Sequence, residues 1–143
     1  VFLCTAGFMA AQTRGELQQM YMDYLREQGY IPSLDSEGDV TFKVEGRYYY
    51  ISVDENDPAY FRIVYPGFWD IESEEERIAV SAVIMSVNQT TKIAKVYIAS
   101  WDTTEIEADV LLNSPEDFKH HFLRMISTLQ LARRKFLYEM GNY

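Results

Sequence analysis

The sequence predicts one α+β domain, in which helices pack against an antiparallel five-stranded sheet. Two stretches, residues 40–53 and 94–112, alternate apolar and polar side chains as β-hairpins do, because successive side chains of a strand point to opposite faces. Three other stretches repeat apolar residues every three or four positions, which is the spacing of a helix with one buried face. At 143 residues, with 48% hydrophobic and 24% charged residues, the chain is typical of a single globular domain.

The first half of the chain predicts one helix followed by three strands. Apolar residues at helical spacing indicate a helix over residues 15–28, and residues 30–34 have the pattern of a short extended piece. Residues 40–53 form a hairpin with a two-residue turn. A third strand is expected over residues 59–65, closed by Pro66 and Gly67 because this pair is typical of a turn.

The second half predicts a helix, a second hairpin and a long final helix. Residues 73–76 have the form of a capping box, and the helix that it opens runs to Asn88. Residues 94–101 and 106–112 form the hairpin, and a Ser-Pro pair at 114–115 starts the last helix. One apolar stripe follows this helix: Phe118, Phe122, Met125, Leu129, Ala132, Phe136 and Met140. The predicted order of elements is therefore α-β-β-β-α-β-β-α.

The hairpin over residues 40–53 has two different faces. With a turn at Glu45 and Gly46, one face is apolar and suits a core: Val40, Phe42, Val44, Tyr49 and Ile51. The other face carries tyrosines, and aromatic residues of the second hairpin fall on the same side of the sheet. The sequence therefore predicts an aromatic protein-binding surface made of Tyr48, Tyr50, Tyr97 and Trp101. An alternative stays open, in which the second helix or the N-terminal segment covers this face.

Charge and residue counts argue against several classes of function. The chain has 13 basic against 22 acidic residues and a net charge of −9, which repels a phosphate backbone, so nucleic acid is not expected as a partner. The single cysteine, Cys4, excludes an intramolecular disulfide and a cysteine-rich metal site. His120 and His121 are helical neighbours that point about 100° apart, which does not suit a shared metal ion. The sequence therefore predicts no catalytic residue, no metal site and no cofactor.

The first 14 residues differ from the rest of the chain. Residues 1–11 are mostly apolar, are too few to span a bilayer, and have the length of the apolar part of a signal peptide. Two interpretations stay open. If the segment is the end of a signal peptide, the protein is periplasmic or secreted; if it is an ordered arm packed on the domain, the protein is cytoplasmic. We expect residues 1–14 to form this segment and residues 15–143 to form the domain.

Three stretches of the sequence carry a resemblance to a known group. They are LREQGY at residues 25–30, VEGRYYYISV at 44–53, and the segment over 113–129 with its capped helix. With the order of elements, they resemble the YbjN-like group of bacterial proteins and the type III secretion chaperone-like fold. The resemblance implies a non-enzymatic binding protein, commonly a homodimer, that holds an extended segment of a partner, and it implies no catalytic residue.

Two functions from different classes follow as expectations. The first is a small acidic protein-binding domain, chaperone-like or regulatory, which holds a polypeptide on the aromatic sheet face or in a dimer cleft. In that case the second helix, rich in small residues, is expected to form the homodimer. The alternative is an envelope ligand-sensing domain that binds a small molecule in a pocket between the sheet and the long helix.

Overall fold

A computed structural model describes residues 12–100 and 102–141. The described residues form three helices and six strands, together with a short 3-10 turn at Pro115–Asp117. In chain order the elements are α1 (Arg14–Glu27), β1 (Ser33–Leu34), β2 (Val40–Val44), β3 (Arg47–Ile51), β4 (Tyr60–Asp70), α2 (Glu74–Thr90), β5 (Ala94–Ile98), β6 (Thr103–Leu111) and α3 (Phe118–Met140). The α+β class is confirmed, and the N-terminal segment over residues 1–11 lies outside the described residues.

The sheet has six strands in the described part of the chain, where the sequence predicted five. Their order is β1-β2-β3-β4-β6-β5, and every neighbouring pair is antiparallel. The additional strand is β1, which pairs Ser33 with Thr41 and Leu34 with Val40. Two residues are too few to show an alternating pattern, so the sequence indicated only an extended piece there.

The predicted hairpin and its register are confirmed. Val44 pairs with Arg47, Phe42 with Tyr49 and Val40 with Ile51. The turn residues Glu45 and Gly46 have φ values of 50° and 78°, and positive φ at both positions is the geometry of the tight turn that matches strand twist.

The third predicted strand does not end at Pro66 and Gly67. Strand β4 continues through them to Asp70, and the pairing with β6 shifts between Tyr65 and Trp69. The Pro-Gly pair therefore produces a β-bulge rather than a turn, because an irregular pair of residues can be accommodated when the strand resumes its pairing beyond them. The extension pairs with Thr103 and Thr104, which explains why β6 begins three residues before the predicted position.

The core lies between one face of the sheet and the three helices, with α2 contributing Val80, Val83 and Val87. Tyr24 of α1 packs edge-on against Phe118 and Phe122 of α3, with ring centroids 5.0 and 5.3 Å apart. Phe61 of β4 and Phe42 of β2 complete this aromatic cluster from the sheet. Each fully buried Phe contributes about 1.5–3 kcal/mol relative to an exposed one, so these rings fix the helices on this face. The predicted apolar stripe of α3 is confirmed as buried up to Phe136, and Met140 is partly buried.

The start of α2 departs in one detail from the predicted capping box. The Ser73 hydroxyl accepts a hydrogen bond from the Glu76 amide at 3.1 Å, as expected. The Glu76 carboxylate instead accepts from the Glu72 amide at 2.7 Å and from Trp69 Nε1 at 2.9 Å. Its side chain thereby ties the helix start to the end of β4, a tertiary contact that a local motif does not predict.

Within the described ranges, none of the helices combines the length and the apolar character that crossing a bilayer requires.

Candidate functional site

The face of the sheet opposite the helices, here called the reverse face, carries three of the four predicted binding residues. Tyr48 is 57% exposed, whereas Tyr50 and Tyr97 are half-buried. Trp101 lies outside the described residues. Two strands, β4 and β6, separate the Tyr48 and Tyr50 strand from the Tyr97 strand, which places them about 14 Å apart at the usual strand spacing. The three tyrosines therefore do not form one continuous aromatic patch.

Charged side chains occupy the space between them. Arg62 Nε donates to Glu107 Oε2 at 2.7 Å, and Lys95 Nζ bridges Glu107 Oε1 and Asp109 Oδ2, each at 2.8 Å. We call these four residues the charge ladder, because they pair across β4, β6 and β5. Opposite charges placed directly across neighbouring strands stabilise a sheet.

The pKa values of the two carboxylates in the charge ladder show that hydrogen bonding outweighs burial. Burial alone would raise the pKa of Glu107, but its hydrogen bonds to Lys95 and Arg62 outweigh burial and lower that pKa. Asp109 behaves in the same way, with Lys95 and Tyr60 as its hydrogen-bond donors. Both carboxylates are therefore held ionised, which suits a structural role and not the proton transfer of an acid-base catalyst.

Tyr97 belongs to this network rather than to a free binding surface. Its hydroxyl donates to Glu105 Oε2 at 2.9 Å and lies 3.3 Å from Arg62 Nη2, which donates to it. Burial and the hydrogen bond to Glu105 raise the pKa of Tyr97. A side chain that is held by two partners is less available for hydrogen bonds to a polypeptide. Among the described residues, the candidate binding surface is therefore reduced to Tyr48 and Tyr50.

Tyr48 has a different environment at the other end of the reverse face. Lys43 lies across the hairpin from it, with the Nζ atom 4.6 Å from the centroid of the ring, within the range of a cation–π contact. Tyr50 pairs with Val64, which is buried on this face between Tyr50 and Glu107. Tyr48 is therefore the most accessible of the predicted binding residues that the structure describes.

A side chain of α2 caps the outer edge of β5 at its central residue, Val96. Asn88 Nδ2 donates to the Val96 carbonyl at 3.0 Å, and the Val96 amide donates to Asn88 Oδ1 at 2.8 Å. The amide group thus imitates a residue of a neighbouring strand and satisfies both outward backbone groups of Val96.

The outer edge of β2 is closed only in part. In this hairpin the backbone groups of Asp39, Thr41 and Lys43 point outward, because Val44 and Phe42 pair inward with β3. Asp35 donates to the Asp39 carbonyl at 3.1 Å, and Ser33 pairs with Thr41. Among the described residues, the strand pairing stops there, so the N–H and C=O of Lys43 meet no neighbouring strand.

A cavity of about 470 Å³ lies beside this open edge and is here called the edge groove. It occurs because the chain before β1 turns away: Gly29 has a φ of 86°, and the Tyr30 amide donates back to the Leu25 carbonyl of α1 at 2.9 Å. Ile31, which would face Lys43 if β1 were longer, is 91% exposed. The groove is lined by Gly29, Tyr30, Ile31, Ser33, Thr41, Phe42, Lys43 and Tyr48.

A second cavity, of about 230 Å³, lies where the alternative hypothesis placed a ligand, between the sheet and the long helix. Its lining is mainly polar and charged, with three arginines and one tyrosine: Glu45, Arg47, Tyr49, Gln130, Arg133 and Arg134.

Within residues 12–100 and 102–141, no three His, Cys, Asp or Glu side chains are grouped as metal ligands. His120 and His121 are exposed on α3, as expected for a solvated polar face. Comparison of the chain with protein-family models, with curated proteins and with solved structures found no significant match. The resemblance to the YbjN-like group and to secretion chaperones therefore stays a prediction.

Proposed function

We propose that this protein is a non-enzymatic polypeptide-binding domain, which adds an extended segment of a partner to the open edge of β2. The observation that carries the proposal is the outward backbone of Lys43, which no described strand pairs with and which lies directly beside the edge groove. A strand added there would exchange two backbone hydrogen bonds with Lys43, accepting one from its N–H and donating one to its C=O. Its side chains would alternate between the two faces of the sheet, so that the one opposite Lys43 lies in the part of the groove beside Tyr48.

The size of this surface sets the expected strength of binding. One residue of open edge and one groove give an interface well below the roughly 1,200–2,000 Å² of stable complexes. Contacts of that size are typical of weak and transient association, and we expect dissociation constants in the micromolar range, equivalent to about 8 kcal/mol. The apolar lining favours a partner segment with a large apolar side chain, because its burial supplies most of the free energy.

A peptide-display library screened against the purified protein tests this proposal. Peptides that are enriched are then titrated against the wild type and the Lys43→Pro variant. Proline removes the outward N–H of Lys43, and it is tolerated at an edge position whose N–H faces solvent. We expect affinity to fall at least tenfold in Lys43→Pro and to fall clearly in Tyr48→Ser.

Lys43→Ala is the matched control, because it removes the lysine side chain, with its charge and its contact to Tyr48, but keeps the backbone donor. We expect its affinity to stay within a few-fold of the wild type. Equal binding by Lys43→Pro and the wild type would refute strand addition at this edge. Failure of the library to yield any binding peptide would refute polypeptide binding itself.

The proposal includes a homodimer formed through α2. This helix buries Val80, Val83 and Val87 and exposes two large apolar side chains, Ile78 at 67% and Met85 at 64%. With Ala82 they follow a spacing of four and three residues on one face, which suits helix-to-helix packing between two copies. Sedimentation at high micromolar concentration should show a dimer for the wild type and a monomer for Ile78→Glu. A monomeric wild type would refute the homodimer.

A further inference from the structure

The smaller cavity lies at the turn end of the hairpin, where β3 faces the last part of α3. Arg47 and Tyr49 contribute from β3, and Gln130 and Arg133 contribute from α3. Arg134 and Glu45 stand at its rim, since both are exposed. The site is independent of the edge groove, which is lined by different residues and opens beside β1 and β2.

Two polar atoms at this cavity are buried without a partner in the described part of the chain. They are the hydroxyl oxygen of Tyr49, a residue that is only 1% exposed, and the Nε atom of Arg133. Buried donors are almost always satisfied in folded proteins, because leaving one without a partner costs the free energy of its lost hydration. Two such donors, on residues that line the same cavity, therefore indicate an acceptor that the described residues do not supply.

The charge at the cavity is positive, although the whole chain carries a net charge of −9. Three arginines line it and are opposed by a single carboxylate, that of Glu45, whose contact with Arg47 Nη1 is 3.4 Å long and exposed. Burial and the neighbouring Tyr65 raise the pKa of Tyr49 to about 12, while the charges of Arg47 and Arg133 act to lower it. With its pKa raised, the buried hydroxyl stays protonated at neutral pH and can donate a hydrogen bond.

We propose that this cavity binds a single phosphate group. Its two net positive charges match the charge of about −1.5 to −2 that a phosphate monoester carries at neutral pH, and guanidinium forks donate in the planar geometry that phosphate oxygens accept. The volume of about 230 Å³ is smaller than that of the 300–1,000 Å³ sites of drug-sized ligands. It suits inorganic phosphate or the phosphorylated end of a larger molecule. Strands of nucleic acid are still repelled by the acidic remainder of the surface.

Isothermal titration of the full chain with inorganic phosphate tests the proposal. The wild type should bind with a dissociation constant below 10 mM, and Arg133→Gln should weaken binding at least tenfold, because it removes a charged fork from the centre of the site. Arg124→Gln is the matched control: it removes an exposed arginine of the same helix that does not line the cavity, and its affinity should equal that of the wild type.

Tyr49→Phe provides a second variant whose folding is not in question, since only the unpartnered hydroxyl is removed. Without phosphate it should melt at the same temperature as the wild type or above it. With phosphate it should gain less thermal stability than the wild type, because one donor to the anion is missing. An equal gain in both proteins would show that the hydroxyl does not contact the anion and would overturn the site as drawn.

Further titrations separate the sources of the phosphate group. Tighter binding of O-phosphoserine than of inorganic phosphate would assign the site to a phosphorylated side chain or small molecule, and equal binding would assign it to the free ion. Acetate that binds as tightly as phosphate would overturn the assignment of ligand class. Absence of phosphate binding up to 10 mM, or binding that Arg133→Gln leaves unchanged, would overturn the proposal.

Discussion

The outer strand at each end of the sheet meets a different environment. At the β5 end, Asn88 reaches from α2 and satisfies both outward backbone groups of Val96. The charge ladder of Arg62, Lys95, Glu107 and Asp109 covers the reverse face next to it. At the β2 end, the pairing with the short strand β1 extends only as far as Ser33 and Thr41. Lys43, two residues further along β2, lies beside an open groove.

The difference shows how a sheet can be closed on one side and receptive on the other. Unpaired edges invite strand addition and aggregation, and proteins usually block them with charges, side chains or covering elements. At β5 a side chain of α2 caps the outward backbone groups of Val96 directly. In the part of the chain described, no such partner meets the outward N–H and C=O of Lys43, which makes the β2 edge the candidate binding surface.

Removing the central carboxylate of the ladder should have the largest effect on stability. Glu107→Gln leaves Arg62 and Lys95 with one counter-charge fewer at a largely buried position, so we expect a loss of about 2–3 kcal/mol, somewhat less than for a fully buried pair. Urea unfolding at pH 7 measures it. The exposed Glu75→Gln serves as the control and should change stability by less than about 0.5 kcal/mol; a loss equal to that of the control would contradict the structural role of the ladder.

Acid should weaken the same end of the sheet. Because the pKa values of Glu107 and Asp109 are lowered in the folded protein, their contribution to stability is present above the ordinary carboxylate pKa near 4 and is lost as the pH falls through the lowered values. Stability measured from pH 6 to pH 2 should therefore fall less in Glu107→Gln than in the wild type. Parallel curves would show that Glu107 does not carry this dependence.

Opening the closed edge should have an intermediate effect. Asn88→Ala leaves the amide and carbonyl of buried Val96 without their partner, which we expect to cost about 1–2 kcal/mol. The variant should also self-associate more than the wild type, because it creates a second receptive edge. Light scattering and thermal melting measure both effects, with Gln89→Ala, its exposed neighbour, as the control. Unchanged melting would mean that the Asn88 contacts contribute nothing.

Substitutions at the open end should have the smallest effect on stability. Tyr48→Ser and Ile31→Ser alter exposed side chains, so each should change the free energy of unfolding by within about 0.5 kcal/mol. Peptides selected by the wild type should nevertheless bind both variants more weakly. A large loss of stability in either variant would show that the groove is part of the folded framework rather than a binding surface.

Local patterns in the sequence were sufficient to predict most of the helices and strands and the two faces of the first hairpin. Alternation assigned Phe42 and Tyr49 to the core and Tyr48 to the reverse face, and the spacing of Phe118 and Phe122 gave the buried side of α3. These features depend on the period of one element, which the sequence shows directly.

The candidate sites depend on contacts between distant segments, and the sequence did not reveal them. Asn88 closes β5 only because α2 lies against that strand, and Tyr97 is held by Arg62 from a strand 35 residues away in sequence. Arg47 and Arg133 meet at one cavity although β3 and α3 are far apart along the chain. The weak signal for the edge groove is the pair Gly29 and Pro32, which flank Tyr30 and Ile31 and favour an irregular backbone there.

Hydrogen exchange at the Lys43 amide, measured by NMR, tests the open edge most directly. In the free protein we expect this amide to exchange faster than those of Phe42 and Val44, whose N–H groups point inward to β3. Addition of a saturating selected peptide should protect the Lys43 amide and leave its two neighbours unchanged. A Lys43 amide that is already protected in the free protein, or that stays unprotected in the complex, would contradict strand addition at β2.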